Sequence, residues 1–326
     1  MTKSEEMAIN ALGLSKRFED VQALSEISFA VSRGELFGFL GPNGAGKTTT
    51  INILTGLARP DAGRIHIGGI DCTKHHRAAQ HLIGVVPDES NLYPELSGFD
   101  NLTFCAALYG MRKQEREARA RELLTQFGLL EAAERKFAGY SKGMKRKLTI
   151  AAGIIHQPEI LFLDEPTTGI DVASARQLRI LISALHKAGT TIFLTTHYIE
   201  EAERLCNRIA FIVSGRIIRT DTVENLLQPV QDKHIVHVSI VPNEIAIEEK
   251  LSAVFGSYRF SITGNSLINI ESEEIIPVGS IVRFIEEQGV EVTEAKKIRP
   301  SLEEVFVKIT GIEAETMRKE RKGGSR

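Results

Sequence analysis

Residues 35–48 read Glu-Leu-Phe-Gly-Phe-Leu-Gly-Pro-Asn-Gly-Ala-Gly-Lys-Thr. The apolar first part has the character of a short buried strand. The second part fits the pattern G-x-x-x-x-G-K-[ST] through Gly41, Gly46, Lys47 and Thr48. Glycines let the backbone curl so that successive N–H groups face a phosphate. The helix that follows, expected over Thr48–Gly56 with Ile51, Ile53, Leu54 and Leu57 inward, points its positive end at the same anion. In that pattern Lys47 bridges the β- and γ-phosphates and the Thr48 hydroxyl holds Mg²⁺. The candidate phosphate-binding set is Gly41, Pro42, Asn43, Gly44, Ala45, Gly46, Lys47, Thr48 and Thr49.

Upstream, Ile9–Leu14 and Val21–Val31 alternate apolar and polar residues, as strands do, around a polar Lys16–Asp20 turn. Downstream, Asn101 to about Glu134 is helical in pattern. Strands expected at Ile160–Leu163, Thr191–Thr195 and Arg208–Val213 then alternate with helices at Ala173–Lys187 and Ile199–Cys206. Such alternation implies an α/β fold on a mostly parallel sheet. The first of these strands ends in two adjacent carboxylates. Asp164 suits the Mg²⁺ shell, reached through water. Glu165, one residue further, lies beyond the strand and can orient or deprotonate an attacking water.

Around these elements the chain resembles the ABC-type ATPases across residues 8–225. The family's signature loop stands as Tyr140-Ser141-Lys142-Gly143-Met144, and its D-loop as Pro166-Thr167-Thr168-Gly169-Ile170-Asp171. His197 occupies the place of the family's switch histidine, and Phe18 the place where an aromatic ring stacks on adenine. The resemblance implies a cassette with a mostly parallel sheet, an antiparallel β part and a helical subdomain at about 90–145. It implies ATP with Mg²⁺ and two copies facing head to tail. Ser141 and the Gly143 N–H of one copy would then cap the γ-phosphate held by the other, with Asp171 at the same interface. Two departures stand out. Asp88 occupies the place of the family's glutamine, where it would join Thr48 and Asp164 at the metal. Lys142 and Met144 replace a glycine and a glutamine in the signature loop.

The variant signature, Asp88 and the stretch Pro300-Ser-Leu-Glu-Glu-Val-Phe306 resemble the ATPase subunits of ABC-2-type exporters. Such subunits energise a separate integral-membrane permease from the cytoplasmic face of the cell membrane. The alternative is a non-transport ABC ATPase of the translation or DNA-repair type. Those carry paired cassettes, coiled coils or zinc insertions, which this sequence lacks. A guanine-recognition Asn-Lys-x-Asp motif is also absent.

Composition sets further bounds. The 326 residues are 42% hydrophobic and 25% charged with a net charge of −2, which argues against a nucleic-acid surface. No apolar run approaches the roughly 18 residues of a membrane span. Cys72, Cys105 and Cys206 form no metal or redox pair, and His75, His76 and His81 belong to a polar surface segment. The domains expected are an ATPase domain over 1–228, an accessory domain over 229–311 and a basic, disordered tail over 312–326. The accessory domain reads β-α-β-β-α-β, a ferredoxin-like α+β order. The role expected of it is dimer stabilisation or packing, ahead of ligand sensing. A last helix, Ser301–Thr310, opens on the capping-box pattern Ser301-x-x-Glu304.

Overall fold

A computed structural model describes residues 7–73, 75–231, 234–241, 247–264, 266–298 and 301–312. Pro300 and residues 313–326 of the expected tail lie outside the described residues. The chain divides into two compact units, with breaks after Val223 and Gly311.

In the first unit, strands β1 (Met7–Phe18) and β2 (Val21–Ser32) pair antiparallel, and β3 (Leu36–Leu40) leads into helix α1 (Lys47–Leu54). Strands β4 (Ala62–Ile67), β5 (Ile70–Asp71) and β6 (Ile83–Val86) follow. Helices α2 (Gly98–Leu108), α3 (Lys113–Gln126) and α4 (Lys142–Gly153) form the helical part. The α/β alternation then runs β7 (Ile160–Asp164), α5 (Val172–Lys187), β8 (Thr191–Thr196), α6 (Ile199–Leu205) and the hairpin β9 (Arg208–Val213)–β10 (Arg216–Thr222).

Two sheets result. One is antiparallel in the order β2-β1-β4-β5; the other runs β10-β9-β3-β8-β7-β6 and is parallel except for its β10 edge. Every residue of β3, β7 and β8 is buried, as expected for strands covered on both faces. The sheets share one core. Phe29 of β2 lies against Phe37, Phe39 and Phe193 with ring centroids 5.9, 5.5 and 5.7 Å away. Side chains of that size each contribute about 2–3 kcal/mol on burial.

The helix after the phosphate loop is shorter than expected. It ends at Leu54, Gly56 turns the chain with φ +79°, and Leu57 is 74% exposed instead of inward. Strand β6 falls on Ile83–Val86, a run too short to show a period of its own. Its four residues pair in parallel with β7, a long-range contact that local pattern cannot report.

Residue 228, where the ATPase domain is expected to end, lies within a helix, α7 (Val223–Gln231). The second unit continues with β11 (His234–Ile240), α8 (Ile247–Val254), β12 (Arg259–Thr263), β13 (Leu267–Ser272), α9 (Val278–Glu287) and β14 (Val292–Ile298). Its sheet order is β12-β13-β11-β14, with every neighbour antiparallel. Ile247 and Leu251 of α8 and Ile281 and Ile285 of α9 share a core with Val236, Val238, Ile268 and Ile270 of the sheet. The last helix, α10 (Leu302–Thr310), starts at the expected place, but the Ser301 side chain makes no capping hydrogen bond.

Candidate nucleotide site

The loop after β3 is shaped by what lies behind it. A Cβ on Gly41 would sit 2.1 Å from the Ile212 carbonyl oxygen, and one on Gly46 2.6 Å from that of Ala23. Gly46 also takes φ +103° at the start of α1, and Gly44 takes φ +81°, a backbone region that side chains resist. The glycines of the motif therefore answer to packing and backbone conformation together. Asn43, Gly44 and Thr48 face solvent, whereas Lys47 is buried.

Lys47 Nζ donates to the carbonyl oxygens of Gly41 (2.6 Å) and Pro42 (3.1 Å) and forms an ion pair with Glu165 Oε1 at 3.1 Å. The other carboxylate oxygen, Oε2, accepts from His197 Nδ1 at 2.8 Å and from Thr168 Oγ1 at 3.1 Å. A carboxylate only accepts, so Nδ1 of His197 carries the proton there. Burial opposes the Glu165 charge, but the His197 hydrogen bond and the Lys47 cation outweigh it, and the carboxyl sits below its usual range. The Glu165 backbone has φ +46°, strained for a residue with a side chain, and is tied by its N–H to the Thr195 carbonyl at 3.1 Å.

Asp164, at the end of β7, is buried and accepts hydrogen bonds from Thr195 and Thr48. Desolvation, reinforced by the neighbouring Glu165, outweighs these bonds and holds its carboxyl above the ordinary range. Asp88 follows β6 and is exposed. Partial desolvation, with the charges of Asp164 and Glu165, raises its carboxyl, against the opposing pull of Arg146. The structure thus brings Lys47, Thr48, Asp164, Glu165 and His197 into one cluster, with Asp88 at its edge.

The remaining expected residues lie apart from that cluster. Phe18 ends β1 with 49% of its surface exposed and Lys16 Nζ 5.2 Å from its ring centroid. Ser141 is the N-cap of α4, accepting the Met144 N–H at 3.2 Å, and Asp171 is the N-cap of α5, accepting the Ser174 N–H at 2.9 Å. A Cβ on Gly143 would meet Ser174 Oγ at 2.4 Å, so the two N-termini approach closely. Among the described residues, no hydrogen bond or ion pair joins Ser141, Gly143 or Asp171 to the phosphate loop of the same chain.

Sequence reading missed three contributors. Thr195 braces both carboxylate residues, and Glu201, 3% exposed, lies near Thr167 and Thr196. Arg146, 7% exposed, hydrogen-bonds into the ends of β6 and β7. It stands in sequence between Lys145 and Lys147 and looks like another solvated cation. The only local signal is helical spacing, which sets it on one face with the buried Gly143, Ile150 and Gly153.

A phosphate loop after β3, two carboxylates at the end of β7 and a histidine just past β8, the strand between them, define an ATP-hydrolysing cassette. The ABC transporter family model matches residues 24–168. Along nearly its whole length the chain is 36% identical to the daunorubicin resistance ATP-binding protein DrrA3 of Streptomyces coeruleorubidus, covering 93% of this chain and 96% of that one. It is 36% identical to the Nod factor export ATP-binding protein I of Rhizobium etli, over 94% and 95%. The cassette MJ0796, solved as a dimer, superposes with a TM-score of 0.61 and 27% identity over 66% of this chain and 98% of that one. The chain belongs to the ABC transporter family, as one of its ATP-binding subunits.

Proposed function

We propose that this chain hydrolyses ATP to energise export through a separate membrane permease, acting as a dimer in which each ATP lies between two copies. The observation that carries the hydrolytic assignment is the single buried cluster of Lys47, Glu165 and His197 beside Asp164 and Thr48. Lys47 and the loop N–H groups hold the β- and γ-phosphates. Glu165, kept ionised and aimed by His197, orients the attacking water and takes its proton. Ser141 and the Gly143 N–H of the second copy cap the γ-phosphate, and Phe18 offers its exposed face to adenine.

Mg²⁺ fits the donors present: an exposed hydroxyl, Thr48, beside a buried carboxylate, Asp164, with the Asp88 carboxyl nearby, is an oxygen set suited to a hard cation. When bound, Mg²⁺ neutralises charge on the transferring phosphoryl group.

The export reading rests on the relatives' names, an ATP-binding protein of daunorubicin resistance and one of Nod factor export, and on an exposed apolar surface. Among the described residues no helix is long and apolar enough to cross a membrane, so a membrane task requires a partner. Helix α2 and the turn before it present Tyr93, Phe104 and Leu108 at 50%, 40% and 72% exposure, with the two rings in edge-to-face contact. A grouped apolar surface of this kind suits protein docking. It supports a subunit seated against a permease on the cytoplasmic face of the membrane. We further infer that the unit from Glu224 to Gly311 is an accessory domain of ferredoxin-like type.

The test is co-purification in detergent with a multi-span membrane protein of the same host, together with Leu108→Asp. Retained association of the wild type and its loss in the variant are the expected results. A chain that hydrolyses ATP fully but never captures a membrane protein would favour the soluble reading.

A further inference from the structure

We propose that Arg146 is a positioning residue for the ATPase reaction, clamping the Asp88 segment and the signature helix to the end of the catalytic strand. Its Nε donates to the Pro166 carbonyl at 2.9 Å and its Nη1 to the Asp88 carbonyl at 2.9 Å. Nη1 also reaches the Pro87 carbonyl, and Nη2 the Asp164 carbonyl. One buried side chain from α4 therefore joins the end of β6, the end of β7 and the turn that follows Glu165. No other element described makes all three of these connections by hydrogen bonds.

The chemistry explains why an arginine stands there. Four backbone carbonyls around a plane match the fixed fork of a guanidinium, whereas an ammonium is a point donor on a flexible stem. A buried cation is tolerable only when paired, and Asp88, Asp164, Glu201 and Glu165 supply the compensating field. The arrangement resists sliding. Moving the Asp88 segment by the length of a hydrogen bond would strip Arg146 of two acceptors in a buried site, a heavier penalty than losing two exposed bonds. The Asp88 segment, Asp164 and the N-terminus of α4 with Ser141 and Gly143 are thus held as one body. The hydrogen bonds of Arg146 go to backbone carbonyls, so it positions the residues assigned to the reaction without being one of them.

The proposal rests on the assignment of Asp88, Asp164 and Glu165 to the reaction, so the experiment separates the two. Steady-state ATPase of the full-length chain is measured for Arg146→Lys, Arg146→Gln and Glu165→Gln, with MgATP and Mg²⁺ varied independently. A fluorescent ATP analogue reports binding. For Arg146→Lys, kcat should fall about a hundredfold and the Mg²⁺ needed for half-maximal turnover should rise about tenfold. The KM for ATP should stay within about threefold, because Lys47 and the loop are untouched. Arg146→Gln should behave likewise or worse. The clamp is overturned if Arg146→Lys turns over within about threefold of wild type, or if its analogue binding and kcat are lost in step with no change in Mg²⁺ dependence, as a merely structural residue would give. Full turnover by Glu165→Gln would instead sink the site assignment itself.

Discussion

At the scale of single residues the site is an argument between burial and charge, and it is settled differently for two adjacent carboxylates. Glu165 is held below its ordinary range by His197 and Lys47, while Asp164, hydrogen-bonded by two hydroxyls, is held above it by desolvation. Removing the water-directing charge with Glu165→Gln should lower turnover about 10²–10⁴-fold. Nucleotide binding should persist, so an ATP-dependent dimer should accumulate in size-exclusion chromatography. Asp164→Asn should separate stability from function. A carboxyl whose folded-state pKa is raised costs stability progressively as the pH climbs from its unfolded-state value, and the full cost is present above the folded-state value. The amide variant should therefore unfold a few degrees higher than wild type at neutral pH without nucleotide. The gain should shrink as the pH falls through the folded-state value, where wild type takes up the proton. Mg²⁺-dependent turnover should be lost throughout. Calorimetry across pH and a phosphate-release assay check both halves.

At the scale of elements, the N-termini of α4 and α5 meet with no room to spare, since Gly143 packs on Ser174. Gly143→Ala should destabilise this junction by about 1–3 kcal/mol and impair dimer closure. Adding Ser174→Gly, which removes the opposing atoms, should recover part of both effects. A strictly additive double mutant in thermal melts would refute that contact as the cause. Elements of this kind also show what the sequence made readable. The phosphate loop, the β7 carboxylates and the strand–helix alternation are local patterns, and each lies where its period placed it. Strand β6 is defined by β7, a partner far away in sequence, so a short apolar run could not announce it. Leu57 fails because a helical period says nothing of where Gly56 ends the helix. Arg146 is harder still, because its burial follows from carbonyls on two other strands' ends and not from its basic neighbours.

At the scale of the whole molecule, two compact units imply two unfolding transitions rather than one. ATP with Mg²⁺ at a hundredfold excess over Kd should stabilise the unit bearing the phosphate loop by about 2.7 kcal/mol. The transition of the Glu224–Gly311 unit should stay where it is; movement of both together in calorimetry would show coupled folding. The Lys47–Glu165 ion pair has a consequence for how such a molecule rests between turnovers. In this structure the cation assigned to phosphate is engaged by the carboxylate assigned to activate water. An arriving γ-phosphate has to win Lys47 from Glu165, so the fuel itself unlocks the group that will consume it. A nucleotide lacking that phosphate competes less well for the lysine and leaves the latch closer to shut.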